Sequence, residues 1–521
     1  MEEVLEVKKE QPVNLLTKEN VILLACSLFL GVLFDFLFFD KPMGISCPIF
    51  VVVFYGILLW NMKKHLVLKL DFAWLLSIPV LALSLTFLIF SNNVFRVLNI
   101  LAIPILIVAQ TVLISRNNKY RWYSAKFASD VIIGLFGNTL VHVFKPFMIL
   151  SGLIKRKAAP GKYAVASKIF IGLLISIPLL LVVTMLLASA DQVFSHYLGN
   201  IPDFFENINI EDFIAQTILA FIICVTSFSY IYSLSAPKIQ GIEVAPEELK
   251  PLKRVWDPVI ITTVLISINI VYVFFTFIQF TYLFGSLDLG LPKDFTYAEY
   301  ARRGFFELVF VTLINLSILL GCIGFAKQGG ILLDRILKVL KSLLVACTMV
   351  MLVSAHIRMT LYEEAYGYTY LRILTHAFMF FIFALLLVAL YKIWVDKVLI
   401  LRWYIVITLV AYVLINYVNI DVIIAKQNIE RYHKTQKLDI SYLTELSYDA
   451  VPYTVELLKD KNRAIAGGIE NDLFLKKENL KKKNHWQSFN ISEAAAKRIL
   501  AKYELKYDPE KSRTYFDSRM D

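Results

Sequence analysis

Four arginines and four glutamates stand where this chain passes into or out of long apolar runs. Glu299, Arg302, Arg303 and Glu307 lead into one run. His356, Arg358, Tyr362, Glu363, Glu364 and Arg372 occupy the short stretch between two others, and Asp35, Asp191, Asn419 and Asp421 fall at the ends of further ones. A charge at the edge of a hydrocarbon layer costs several kcal/mol unless it is paired, so these side chains are expected to face the protein and each other. Guanidinium and carboxylate can pair through two parallel hydrogen bonds. Two kinds of chemistry are open to such a set. The arginines could hold an anionic or polar ligand in a pocket, or the pairs could close into a cap that locks helix ends together. The cap is the favoured expectation, because structural ion-pair networks are common.

Other motifs are missing. There is no Gly-Lys-Ser/Thr phosphate loop and no His-Glu-x-x-His zinc motif, and Gly321 to Gly330 lacks the glycine spacing of a nucleotide loop. None of the seven histidines has a second histidine or a cysteine at metal-ligand spacing. His356 with Glu363 and Glu364 is a weak pattern. No catalytic residue, metal or cofactor is expected. The five cysteines, Cys26, Cys47, Cys224, Cys322 and Cys347, lie in or beside apolar segments and suit core packing. Asn269 and Asn315 fall near the middle of two apolar runs, where amides usually hydrogen-bond between helices. No carboxylate sits at such a midpoint, which counts against an ion-coupled carrier.

The elements that must position these residues follow from composition. The chain has 521 residues, of which 58% are hydrophobic and 18% charged. That is too apolar for a soluble protein of this length. Lipid leaves no partner for an open backbone, so runs of this length must be helices. About eleven spans are expected. They run from Val21 to Phe39, Pro48 to Trp60, Phe72 to Phe90, Val94 to Ile114, Lys168 to Leu187 and Phe213 to Leu234. The rest run from Val259 to Leu283, Phe305 to Phe325, Ile336 to His356, Leu371 to Ile393 and Trp403 to Val418. The fold class is all-α: a polytopic transmembrane helix bundle with a small helical C-terminal extramembrane domain.

Loop charge orients the bundle. Lys63 and Lys64, the Arg116 to Lys126 and Lys155 to Lys162 stretches, Lys250 to Arg254, and Lys392 to Arg402 share one side, which the positive-inside rule makes cytoplasmic. This bias, and not nucleic acid, accounts for the net charge of +11. The connection from Ala188 to Asp212 carries acids and no lysine or arginine, so it belongs opposite. Trp60, Trp74, Trp122, Trp256, Trp394 and Trp403 flank the basic loops as interfacial anchors. The resulting domains are a cytoplasmic segment 1–20, a transmembrane domain 21–418 and a soluble tail 419–521 on the outer side. Phe127 to Leu153 is apolar but bracketed by basic loops, and Asn138, His142 and Lys145 paint one polar stripe along it. It is expected to lie in the inner interface or re-enter from it.

The tail is charged and helical in pattern. Asp439-Ile440-Ser441 opens one helix, Pro452 should break or begin another, and Ser492-Glu493-Ala494 caps a third with Glu493 in its first turn.

Several stretches carry a resemblance. They are Gly31 to Asp35 with Pro42 to Ser46, Leu187 to Asp191, Thr296 to Glu307 with its Ala-Glu-Tyr-Ala-Arg-Arg-Gly-Phe-Phe-Glu run, His356 to Met359, and Tyr366 to Thr369. Asn419 to Arg431 follows, with Leu438-Asp439, Tyr442-Leu443 and Leu446 to Pro452. Together they resemble the bacterial polytopic membrane proteins of domain-of-unknown-function family 4153/4173. The resemblance implies a bacterial cytoplasmic-membrane protein and brings no activity with it. Three functional classes remain. The favoured one is a non-enzymatic scaffold or sensor subunit of the cell envelope, with the lipid bilayer and another membrane or envelope protein as partners. The others are a channel or transporter with an outward-facing polar entrance, and an envelope enzyme acting on a lipid-linked substrate.

Overall fold

The computed structural model describes residues 15–63, 71–157, isolated positions between 172 and 193, and residues 210–235, 254–284, 305–483 and 485–508. Among them every regular element is helical. Among the described residues ten helices are long and apolar enough to cross a membrane. The expected span from Pro48 to Trp60 is a helix of 17 residues, shorter than the others, and the one from Lys168 to Leu187 falls almost wholly outside the described residues. Phe127–Leu153 has the length and composition of a span. The chain is a multi-pass membrane protein built as an all-α bundle.

The chain divides into two compact units. Unit one comprises Met1–Leu88, Asn99–Glu247 and Asn484–Phe489. Its main helices are α1 (Lys18–Phe38), α2 (Ser46–Met62), α3 (Ser77–Ile89), most of α4 (Asn93–Ile114), α5 (Lys145–Lys157) and α6 (Ile210–Ser235). Apolar side chains gain little by leaving lipid for one another, so membrane helices associate through close packing and interhelical hydrogen bonds. Both devices are present. Gly31 of α1 lies against the Ala220 carbonyl of α6. Gln110 donates to Ser77 Oγ at 2.6 Å and accepts from Tyr55, and Asn61 donates to Ser235 Oγ at 2.6 Å.

The Phe127–Leu153 segment is broken by a π-helical turn at Ile133–Gly137 and by a turn after Val141. Ile132, Phe136, Leu140, Val141 and Phe144 point outward. The polar stripe read from the sequence does not all face water. His142 packs edge-on against Tyr232 of α6 with ring centroids 5.3 Å apart, and its carbonyl accepts from Ser229.

Unit two comprises Ile89–Leu98, Glu248–Lys483 and Asn490–Asp521. It holds α7 (Pro258–Phe284), α8 (Phe305–Phe325), α9 (Ile331–Tyr366), α10 (Tyr370–Trp394) and α11 (Ile400–Tyr417), then the tail helices α12 (Ile420–Thr435), α13 (Arg463–Lys482) and α14 (Ile491–Leu500). At 1.5 Å per residue, α9 is about 54 Å long and overshoots a hydrocarbon core of roughly 30 Å. Lys338–Asp396 and Trp394–Ser342 contacts bring the start of α9 to the end of α10, which defines a basic end. The opposite, tail end carries the C-terminus of α9, the N-terminus of α10 and the C-terminus of α11.

Between the ends, buried amides join the helices as expected. Asn269 of α7 donates to the Leu340 carbonyl at 3.0 Å. Asn315 of α8 accepts from Tyr272 at 2.7 Å and donates to Thr348 at 3.0 Å. Asn315→Ala should therefore cost about 0.6–1.7 kcal/mol in reversible unfolding, the range of interhelical bonds in membrane proteins. A loss above about 3 kcal/mol would mean that the amide does more than bridge.

The tail has its own apolar core. Ile424 and Ile429 of α12, Leu443, Leu446, Val451 and Val455 of the connecting turns, Ile469 and Leu473 of α13 and Leu500 of α14 pack together, and Ile373 and Leu374 of α10 and Ile415 of α11 close it. Local signals explain the helix starts. Asn419 caps α12, Asp439 caps Ile440–Thr444, and Pro452 sits in the first turn of Val451–Thr454. One expectation needs correcting: Asn490, not Ser492, caps α14, accepting from the Glu493 N–H at 3.0 Å. The Ser492 hydroxyl is thereby free for a different bond, described below.

Candidate functional site

The tail end of unit two gathers most of the described candidate residues, in two polar groups. The first group surrounds two buried carboxylates. Asp449 Oδ2 accepts from the backbone and hydroxyl of Ser91 and from Ser447 Oγ at 2.9 Å. Its Oδ1 accepts from Asn419 at 3.0 Å and from Ser492. Asp421, 1% exposed, accepts from Asn92 Nδ2 at 2.9 Å and Ser447 Oγ at 2.7 Å. Asn92 also meets the Tyr370 hydroxyl at the start of α10. Beside them, Arg96 lies 3.8 Å from Glu493, which Lys483 bridges at 2.9 Å. Buried carboxylates persist when donors surround them, and these donors come from both the segment before α4 and the tail. Chemically the group is an anchor: its acceptors are filled by the protein.

The second group lies on the facing turns of α9 and α10. The sequence places His356 to Glu364 on a loop. Instead they ride the last turns of α9, which runs on to Tyr366, and Arg372 is in the first turn of α10. The helix stops where Gly367 takes φ +90° and its N–H bonds to the Glu363 carbonyl at 2.7 Å. Glu363 pairs with His376 across the hairpin at 3.0 Å, and with no arginine among the described residues. His376 Nδ1 in turn lies 2.7 Å from His356 Nδ1. Next to them Arg358 Nη2 and Ser354 Oγ both reach Gln279 Oε1 of α7, at 3.5 and 2.6 Å.

Arginines do appear here, but on carbonyls and rings. Arg431 of α12 donates to the Glu364 and Ala365 carbonyls at 2.8 and 2.6 Å, satisfying the open C-terminus of α9. Burial, then the nearby Arg372, holds its guanidinium below the ordinary value. Arg372 donates to the Gly367 carbonyl and stacks 4.4 Å over Tyr362. In the turn between the helices, burial pushes the Tyr368 phenol up, with Glu363 and Glu364 adding to it.

The remaining candidates are elsewhere. Glu307 is exposed on the first turn of α8 and has no ion pair among the described residues. Glu299, Arg302 and Arg303 lie outside the described residues. Asp35 and Asp191 belong to unit one, where Asp191 accepts from the Val193 N–H. The sequence reading missed His376, Ser91, Asn92, Tyr370 and Asp449 as site residues. Among the described residues, no group of three histidine, cysteine or carboxylate side chains is arranged to hold a metal ion.

Residues 77–457, well over half of the chain, match the model of a domain of unknown function, DUF4153. The chain belongs to the DUF4153 family. The DUF4153 match begins with α3 and ends in the helical turn Val455–Lys459, so it takes in both polar groups except Lys483, Ser492 and Glu493. No curated protein and no solved structure matches the chain.

Proposed function

We propose that this protein is a non-enzymatic scaffold or sensor subunit of the bacterial cytoplasmic membrane that holds a rigid helical platform at the outer face. The observation that carries this is the Asp421–Asp449 anchor, which ties the tail to the start of α4 and of α10 through buried hydrogen bonds. With the apolar core beneath it, the anchor packs the tail helices against the ends of α10 and α11. A fixed surface of this kind suits display to an envelope protein. Loop charge supports the orientation, because the basic end of unit two belongs inside by the positive-inside rule.

Orientation is tested by single-cysteine labelling of intact cells, the native cysteines being mostly buried. Leu475→Cys in α13 should react with a membrane-impermeant maleimide, and Lys397→Cys at the basic end should react only after the cells are opened. The reverse pattern would overturn the outer-face platform. A second reading, a channel or transporter, draws on the row of polar side chains Asn269, Tyr272, Asn315, Thr348, Gln279 and Ser354 through α7 to α9. These groups bond mainly to one another, as packing residues do. Solute flux into proteoliposomes above that of empty vesicles would favour this reading over the scaffold.

A further inference from the structure

We propose that His356, His376 and Glu363 form a binding site for one exchangeable proton in the α9–α10 hairpin. The geometry forces the hydrogen positions. An Nδ1 to Nδ1 distance of 2.7 Å requires one proton between the two rings. With Glu363 ionised, His376 donates to it from Nε2 across 3.0 Å and keeps a bare Nδ1. His356 must then donate from its own Nδ1. In this state the trio carries one net negative charge on a carboxylate that is 3% exposed, and its Oε1 is buried with no hydrogen-bond partner among the described residues.

Proton uptake relieves that arrangement in one concerted rearrangement. A proton from solvent enters at His356 Nε2. The His356 Nδ1 proton crosses to His376 Nδ1, and His376 becomes an imidazolium held against the Glu363 carboxylate. One proton enters, none leaves, and the trio ends neutral. Both rings change state together, because the shared Nδ1–Nδ1 contact admits one proton only. Imidazole is the side chain whose unperturbed charge change falls between about pH 5 and 8, which sets the range to be searched.

Among the described residues the surrounding charges are few. Arg358 and exposed Glu364 lie on α9 itself, Arg372 on α10, and exposed Glu307 on α8. Tyr368 is in the turn, Arg431 on α12, and α7 contributes the amide of Gln279. Arg372 and Arg431 are engaged with carbonyls, and Glu363's own ion pair is to His376.

The test is nitrogen-15 histidine NMR of the full chain in nanodiscs between pH 8 and pH 5, with His356→Gln and His376→Gln spectra used for assignment. The expected result is that His376 goes from one protonated nitrogen to two while His356 moves from the Nδ1–H to the Nε2–H tautomer at the same midpoint. The titration itself is read on the unaltered chain, and the two variants serve only to assign its signals. In Glu363→Gln, the His376 midpoint should fall by about one pH unit or more. Charging of His376 with the His356 tautomer unchanged would overturn the site, as would a midpoint indifferent to Glu363→Gln.

Discussion

Asp449→Ala should lower stability by about 3–5 kcal/mol, the cost of breaking a buried charged network. The direction comes from counting donors. Removal of this carboxylate takes the acceptor from the buried Ser91 N–H and from the part-buried Asn419 amide, while the Ser492 hydroxyl keeps the Ile89 carbonyl at 3.0 Å. Each unsatisfied buried group costs about 1–3 kcal/mol. Partial relaxation and water entry keep the sum below simple addition. Arg96 would also lose one of the two carboxylates near it. Glu456→Ala, an exposed acid in the same stretch, should stay within about 0.5 kcal/mol. Thermal unfolding in detergent measures the difference. Hydrogen exchange should show residues 440–500 losing protection before the spans do. If Asp449→Ala and Glu456→Ala unfold alike, the anchor contributes nothing, and the rigid platform goes with it.

The same site shows what a sequence discloses and what it hides. Asp439 was legible as a helix start, because a cap acts within three residues of itself. The apolar runs were legible because lipid permits only helices over such lengths. Asp449 was not, since its partner Ser91 is 358 positions away and both residues look like ordinary turn formers. His376 was hidden in another way. It sits inside an apolar run, and its partner belongs to a different helix, so no ligand spacing within one helix could find the pair. A signal did exist in Gly367. His356 lies eleven residues before this glycine and His376 nine after it, which puts both rings about 14–16 Å from the turn of an antiparallel hairpin. At Glu363, among the described residues, helix phase put His376 opposite the carboxylate. It put Arg431 over the end of α9, where bare carbonyls needed donors.

Gly31 and Gly56 should respond to the same change with opposite signs. Both are helical glycines, and helix propensity alone favours alanine at each by about 1 kcal/mol. At Gly56 of α2 nothing lies within 4 Å of the added carbon, so Gly56→Ala should be neutral or stabilising up to that amount. At Gly31 of α1 the same carbon would stand 2.2 Å from the Ala220 carbonyl oxygen and 3.2 Å from Cys224 Cβ. The first obstacle is backbone, which cannot rotate away as a side chain can. Separating α1 from α6 by an ångström or so would be the relief available. That separation loosens the contact on which helix association in lipid depends, since small residues there allow the backbones to approach. Overpacking costs about 1–3 kcal/mol in a core that can adjust, enough to exceed the propensity gain and give Gly31→Ala a net loss. Gly31→Leu adds three more carbons at the same place and should leave little folded protein in detergent. Melting temperatures of the two alanine variants, taken side by side, decide the matter. A Gly31→Ala protein as stable as Gly56→Ala would mean that α1 and α6 are not in contact there, and that the close packing assigned to unit one is wrong.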